Sequence, residues 1–227
     1  MEDQVLSFDG IGFDSGSEHV SSIFDASFCL APGDVLLVRL ASDRDLPPVV
    51  DMALGLLEPS CGTVRFMGRK WSEMDAFEAA ARRGQVGSVF ERPAWISSLN
   101  VSENVMLRER HHTRRHDAEI VREAEGLAAL AGLGELSALR PDAMQHRQRR
   151  VYEWVRACMG APKLLLLACP ERGAPTAALT RLVDLVKQAA SRGAAVVWLT
   201  DEAAVWTHKG LDGAKRSAIE QDRWISL

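Results

Sequence analysis

The chain alternates between short apolar runs and longer stretches in which apolar positions recur at helical spacing. Apolar runs at 35–38, 164–168 and 195–199 predict buried strands. The stretch 174–192 has the spacing of an amphipathic helix and stops before Gly193. Strands and a first helix fill the chain up to about residue 90, a polar, charge-rich helical pattern follows, and strand–helix alternation resumes at 151. We therefore predict one α/β domain over 1–227, with a core at about 1–90 and 151–227 and an inserted helical subdomain at about 91–150.

Composition limits the classes of protein to which the chain can belong. Its 227 residues, 47% of them hydrophobic, suffice for one domain with a substantial core. A net charge of −4 argues against a general nucleic-acid binder. Cys29, Cys61, Cys158 and Cys169 have neither the density of a disulfide scaffold nor the spacing of a C-x-x-C metal site. Apolar runs stay well short of the ~18 residues of a membrane span, and the start at Met1 lacks a basic signal segment, so we expect a cytoplasmic protein.

The segment 40–48 lies between a predicted strand and a predicted helix, where a phosphate-binding loop would be found. The usual pattern of such a loop is G-x-x-x-x-G-K-[ST], and its four fixed positions here hold Leu40, Asp45, Leu46 and Pro47. The lysine is absent, and Pro47 and Pro48 lack the N–H groups that would cradle phosphate. Asp43 and Asp45 add negative charge. We predict that this segment is a plain loop with proline opening a helix, and the alternative is a site for an unfamiliar ligand.

The order of motifs along nearly the whole chain resembles the ATP-binding cassette (ABC) transporter ATPases. The matching segments are the approach to the P-loop, the turn after the first helix, the Q-loop and the helix after it, the Walker B strand, and the strand before the switch histidine. They lie at 23–34, 56–64, 89–105, 162–170 and 194–200. The resemblance implies an α/β, P-loop NTPase-like fold, in which a core sheet is flanked by helices and carries an inserted helical subdomain.

The same resemblance shows which functional side chains are missing. Six positions that carry functional side chains in the family hold other residues here. They are Glu91 for the Q-loop glutamine, Ala168 for the Walker B aspartate, Cys169 for the general-base glutamate, Pro175 for the D-loop aspartate, Asp201 for the switch histidine and Ser15 for the adenine-stacking aromatic. The residues 143–147 replace the signature sequence. We therefore expect no catalytic residue, no bound cofactor and no metal; Mg-ATP would bind only if the site were rebuilt from other residues.

Three polar features permit other interpretations. Cys169 could be a nucleophile with a histidine partner, although a buried, inert thiol fits its context better. His112 and His116 have the spacing that holds a metal on a helix face, but no third ligand is in register. The basic stretch 108–116 could meet phosphate headgroups or an acidic partner, or it could be a solvated face.

The segment after Glu91 lies where the family receives the coupling helix of its membrane subunit. We predict a docking surface there, formed by Arg92, Pro93, Trp95, Ile96 and Leu99. The alternative for Trp95 is a place in the core. The sequence around 99–112 is similar to the lipid-trafficking (Mla-type) branch of the family.

Together these features predict a catalytically degenerate ABC subunit with a structural or regulatory role in a membrane transporter, with lipid as a candidate cargo. Its expected partners are an ABC transporter membrane subunit and either a catalytically competent ABC ATPase subunit or a second copy of itself, at the cytoplasmic face of the inner membrane. Nucleic acid is not expected. Two alternatives stay open: an active ATP-hydrolysing transport ATPase with an atypical site, and a soluble adaptor without a membrane partner.

Overall fold

The computed structural model describes residues 4–15, 21–41 and 46–227. Within them lie ten strands and seven α-helices. The strands are β1 (Leu6–Phe13), β2 (Ile23–Leu30), β3 (Val35–Arg39), β4 (Cys61–Phe66), β5 (Arg69–Lys70), β6 (Val86–Val89), β7 (Leu164–Ala168), β8 (Ala195–Thr200), β9 (Lys215–Glu220) and β10 (Arg223–Ser226). The helices are α1 (Val49–Ala53), α2 (Ala76–Arg83), α3 (Val101–His112), α4 (Asp117–Leu130), α5 (His146–Cys158), α6 (Leu179–Ser191) and α7 (Ala203–Trp206).

All ten strands form one mixed sheet in the order β5-β4-β1-β2-β10-β9-β3-β8-β7-β6. The strands β3, β8, β7 and β6 are mutually parallel, whereas β1 pairs antiparallel with β2 and β4. Every residue of β7 and β8 is buried, as expected for parallel strands covered on both faces. The predicted α/β fold, with a core sheet flanked by helices, is confirmed.

Side chains alternate between two hydrophobic cores on opposite faces of the parallel strands. Leu165 and Leu167 belong to the core shared with α3 to α6, whereas Leu164 and Leu166 belong to the core shared with α1 and the antiparallel strands. The three helices α3, α4 and α5 separate β6 from β7 along the chain and span 101–158, so α5 continues beyond residue 150. Among the described residues, no helix is long and apolar enough to cross a membrane.

The residues at the ends of α3 and α6 explain where these two helices begin and end. A capping box, in which Asn100 and Glu103 bond each other's backbone N–H groups, starts α3. The helix predicted at 174–192 begins later, at Leu179, because Pro175 leads into a short 3₁₀ turn at 176–178. It ends as predicted near Gly193, whose φ of +92° suits glycine.

Candidate functional site

The carboxyl ends of β3, β6, β7 and β8 meet at one edge of the sheet, which is where open α/β sheets usually bind ligands. Beyond β3, the altered loop is described only in part: Ser42, Asp43, Arg44 and Asp45 lie outside the described residues. Leu46 is half-buried, and Pro47 and Pro48 are buried and lead directly into α1. Helix α1 has no side-chain cap, and the two residues before it have no N–H to offer to an anion.

Arg172 binds two acidic residues across this edge of the sheet. Its Nη2 and Nε donate to Asp201 Oδ2 and Oδ1 at 2.8 and 3.3 Å, and its Nη1 donates to Glu91 Oε1 at 3.0 Å. Hydrogen bonding to Asp201 raises the pKa of Arg172 above its usual value. Glu91 and Asp201 are the residues at the Q-loop and switch positions. Both are thus held by a cation of the chain itself, which we call the Arg172 clamp.

Glu171, the neighbour of Arg172, points toward β8. Its carboxylate accepts a hydrogen bond from Trp198 Nε1 at 3.0 Å and another from Thr200 Oγ1. Burial raises the pKa of Glu171 above its usual value. Neither Glu171 nor Arg172 was among the residues that the sequence singled out. The available signal was a pair of charged residues two and three positions after Cys169, in the loop that follows the Walker B strand.

The sulfur of Cys169 lies close to these acids but is poorly suited to chemistry. The side chain is buried, and burial raises the pKa of Cys169 to about 12. The thiol therefore stays protonated at neutral pH, which favours the inert interpretation over the nucleophilic one. Cys169, Glu171 and Asp201 offer ligand atoms within 4.8 Å of one another, and in the described part of the chain they are the one such group. Because Asp201 is engaged by Arg172 and Glu171 by Trp198, these residues fit a metal ion poorly.

A buried ion pair connects the end of β7 to the predicted docking segment. Arg150 Nη1 lies 2.5 Å from Glu153 Oε2, and both side chains are almost completely buried. The Arg150 guanidinium also donates to the carbonyl oxygens of Ala168 and Cys169, at 3.2 and 2.8 Å. On the other side, Glu153 Oε1 accepts the indole N–H of Trp95 at 2.8 Å. A continuous chain of hydrogen bonds therefore runs from Trp95 to the Walker B position.

Trp95 belongs in part to the core, the alternative that the sequence left open for it. It is half-buried, packs against the core shared with α3 to α6, and has the guanidinium of Arg156 4.8 Å from its ring centre. Ile96, next to it, is 45% exposed and lines a groove. Of the other predicted docking residues, Arg92 and Pro93 are exposed and Leu99 is half-buried.

The groove beside Ile96 has a volume of about 640 Å³. Its walls come from the segment after α1, the end of α2, the strand β6, the segment after Glu91, and the helices α3 and α5. We call it the α3 groove. The two histidines considered as a metal pair are not on one helix face, because α3 ends at His112 and α4 begins only after His116.

Comparisons with known proteins agree with this architecture. No family model matches the chain. The macrolide export ATP-binding/permease protein MacB of Rhodopseudomonas palustris is 26% identical over 194 residues, which cover 85% of this chain and 30% of that protein. MacB of Chromobacterium violaceum is 24% identical over 213 residues, 90% of this chain and 32% of that protein. The chain thus spans about a third of the length of these relatives.

Among solved structures, the chain is similar to the dimeric structure of MJ0796, a bacterial ABC transporter cassette. The TM-score is 0.84, and the match covers 96% of this chain and 95% of that one at 18% identity. A match at this identity establishes the fold of an ABC cassette, with its P-loop NTPase-like core.

Proposed function

We propose that this chain, a member of the ABC transporter ATPase family, works as a non-hydrolysing subunit of a membrane transporter. The observation that carries the proposal is the Arg172 clamp. Phosphoryl transfer depends on a metal ion, a phosphate-binding cation and a residue that orients the attacking water. At the corresponding edge of the sheet, this chain has Ala168 in place of a metal-binding aspartate and an internal salt bridge between Glu91, Arg172 and Asp201.

Electrostatics points in the same direction. Glu91, Glu171 and Asp201 are carboxylates at the carboxyl-terminal edge of the sheet, where the family resemblance would put a nucleotide's phosphates, and the nearby cation Arg172 is already paired. Two like charges about 4 Å apart repel by roughly 4 kcal/mol at the effective dielectric of a protein surface. A polyanion would therefore have to displace the clamp and overcome this repulsion.

A membrane partner is supported by two features. The relatives from Rhodopseudomonas and Chromobacterium are named as joined ATP-binding and permease proteins, and this chain matches about a third of their length. The chain also keeps an open groove beside Ile96, in the region where the family docks on its membrane subunit. We propose that the partners are a membrane subunit and either a competent cassette or a second copy, at the cytoplasmic face of the inner membrane. Lipid, suggested by the sequence around 99–112, is the cargo that we propose.

The test is to search the neighbouring genes for a permease and an intact cassette, to co-express the full chain with those found, and then to measure phosphate release. We expect the chain to assemble with the permease and to contribute no turnover of its own. Turnover by the chain alone, above the background of a mock preparation, would indicate an active ATPase with an atypical site. A folded chain that binds no permease would instead indicate a soluble adaptor.

A further inference from the structure

Buried groups of α3 and α5 hold the far part of the predicted docking segment, 91–99. On α5, the carboxylate of Glu153 accepts the indole N–H of Trp95 at 2.8 Å. On α3, the side-chain amide of Asn104 accepts from the N–H of Ile96 at 2.9 Å and donates to its carbonyl oxygen at 3.0 Å. Asn104 and Glu153 are 3% and 1% exposed. Because water and salt ions have little access to these groups, they fix this part of the segment firmly.

The start of the segment is held in a different way. Just before it, the carbonyl oxygen of Phe90 accepts a hydrogen bond at 2.8 Å from Arg150, whose side chain is 3% exposed. Glu91, the next residue, is held by Arg172 in an ion pair at 3.0 Å, and these two side chains are 45% and 35% exposed. The two residues after Glu91 are exposed as well. Glu91 and these two residues therefore lie between buried anchors and are tied through a contact that solvent can reach.

The two carboxylates of the Arg172 clamp are bound unequally. Asp201 accepts from two nitrogens of the guanidinium, and its side chain is 19% exposed. Glu91 accepts from one nitrogen only. A pair with two hydrogen bonds is stronger than an exposed pair with one, because water and salt compete for both charges of the exposed pair. When the clamp opens, we therefore expect Arg172 to stay on Asp201 and to release Glu91.

We propose that the clamp is a latch on the start of the docking segment. When the latch is closed, Arg172 is anchored on Asp201 and holds Glu91, and with it the stretch 91–93. When the pair between Arg172 and Glu91 breaks, that stretch is free while the rest of the segment keeps its place. The groups that close the latch belong to the chain itself, so its opening depends on ionic strength and not on nucleotide. This inference rests on the proposed function for the use of the segment, and it adds a regulation of that surface.

A spin label at position 92 reports whether the stretch is tied. The full chain carries Arg92→Cys for the label, and Cys29→Ser with Cys61→Ser removes the two exposed thiols. Electron paramagnetic resonance then separates immobilised label from mobile label. We expect immobilised label to dominate at low salt, and mobile label to increase as the salt concentration rises from about 50 to about 500 mM. A label that is fully mobile at low salt, or that does not respond to salt, would overturn the proposal.

Matched variants in this labelled chain identify the contact. Glu91→Gln removes one charge at an exposed position and leaves the pair between Arg172 and Asp201 intact. At low salt we expect it to raise the ratio of mobile to immobilised label about threefold, and to abolish the response to salt. Glu220→Gln is the control, because Glu220 lies on β9 and forms another exposed ion pair, with Arg39 at 3.2 Å. Equal effects of the two variants, or no effect of Glu91→Gln, would refute the latch.

Two further arms separate this inference from the proposed function. Addition of Mg-ATP should leave the label unchanged, and a change in its mobility would overturn the independence from nucleotide. Because the label is measured without a permease, the latch can fail while assembly with the permease succeeds, and the proposed function then stands without it. If the label shows the latch and the chain binds no permease, the latch stands and the proposed function is wrong.

Discussion

The guanidinium of Arg172 binds the carboxylate of Asp201 through two nitrogens, while its third nitrogen reaches Glu91. Asp201 follows β8, Glu91 follows β6, and Arg172 lies in the loop after β7, the strand between them. The clamp therefore ties three adjacent strand ends together. Because Glu91 immediately precedes the predicted docking residues Arg92 and Pro93, such a tie holds the start of that segment in one arrangement.

Replacing Arg172 with alanine should lower the free energy of unfolding by about 1 kcal/mol, because two carboxylates lose their cation at a partly exposed site. Urea denaturation measures the change. Arg223→Ala is the control: Arg223 lies 3.9 Å from Asp25, and both side chains are about 70% exposed, so its loss should have little effect. If the two variants are equally stable, the clamp makes no special contribution.

Mg-ATP should not bind the isolated chain appreciably. Leu46 supplies no cation, Pro47 supplies no N–H, Ala168 supplies no metal ligand, and Arg172 is already paired. Isothermal titration calorimetry of the full chain with Mg-ATP should show no binding in the micromolar range. A micromolar dissociation constant would mean that the segment 40–48 binds phosphate through contacts that its sequence does not indicate.

Restoring the two carboxylates of the Walker B strand should not restore turnover. In a variant with Ala168→Asp and Cys169→Glu, the two carboxylates return, but the lysine and the N–H groups that Pro47 and Pro48 lack stay absent. A phosphate-release assay should give the same background for this variant and for the unmodified chain. ATP hydrolysis above that background would contradict the loss of the phosphate site.

The four cysteines should divide into two classes of reactivity. Cys29 and Cys61 are exposed, whereas Cys158 and Cys169 are buried, and burial raises the pKa of both buried thiols to about 12. A thiol-specific reagent at neutral pH should therefore label two cysteines quickly and all four only after unfolding. Mass spectrometry of the labelled peptides identifies them, and fast labelling of Cys169 in the folded chain would revive the nucleophile interpretation.

The same two thiols should make the protein less stable at high pH. Their pKa is higher in the folded chain than in the unfolded chain, where it is near 9. At a pH below about 9 the two thiols are protonated in both the folded and the unfolded chain. Above that pH the thiols of the unfolded chain lose their protons first. Stability should fall as the pH rises from about 9 toward 12. Urea midpoints measured across this window should fall less steeply in a Cys158→Ala, Cys169→Ala variant.

The sequence predicted the fold well because the parallel strands are apolar runs and the motifs that frame them occur in order. It did not predict the clamp, because Arg172 bonds to Glu91 and Asp201, which are 81 and 29 residues away along the chain. The partners of a loop residue depend on which strand ends are neighbours in the sheet. The spacing of apolar residues along the chain does not show which strand ends those are. The sequence did not predict the groove: of the predicted docking residues only Ile96 lines it, and the pattern of the α3 side chains that line it also suits a solvated helix.

The hydrogen bond of Trp95 is another contact that the sequence did not predict, and the last prediction concerns it. The sequence permits two places for Trp95, on the docking surface or in the core. The structure adds a bond to Glu153, whose side chain is 1% exposed. Replacing Trp95 with alanine leaves that carboxylate short of a donor, so we expect a loss of about 1–3 kcal/mol in the free energy of unfolding.

Two variants, one at Trp95 and one at Ile96, distinguish a contribution to stability from a contribution to docking. Trp95→Phe keeps an aromatic ring beside Arg156 but removes the N–H donor and part of the ring system, so it should lose stability and keep assembly. Ile96→Ala, at a side chain that is 45% exposed and lines the groove, should keep stability and weaken assembly with the permease by about tenfold. Urea denaturation and quantitative co-purification give the two readouts. If Ile96→Ala assembles normally, or if Trp95→Phe loses assembly without losing stability, the docking surface is not where we place it.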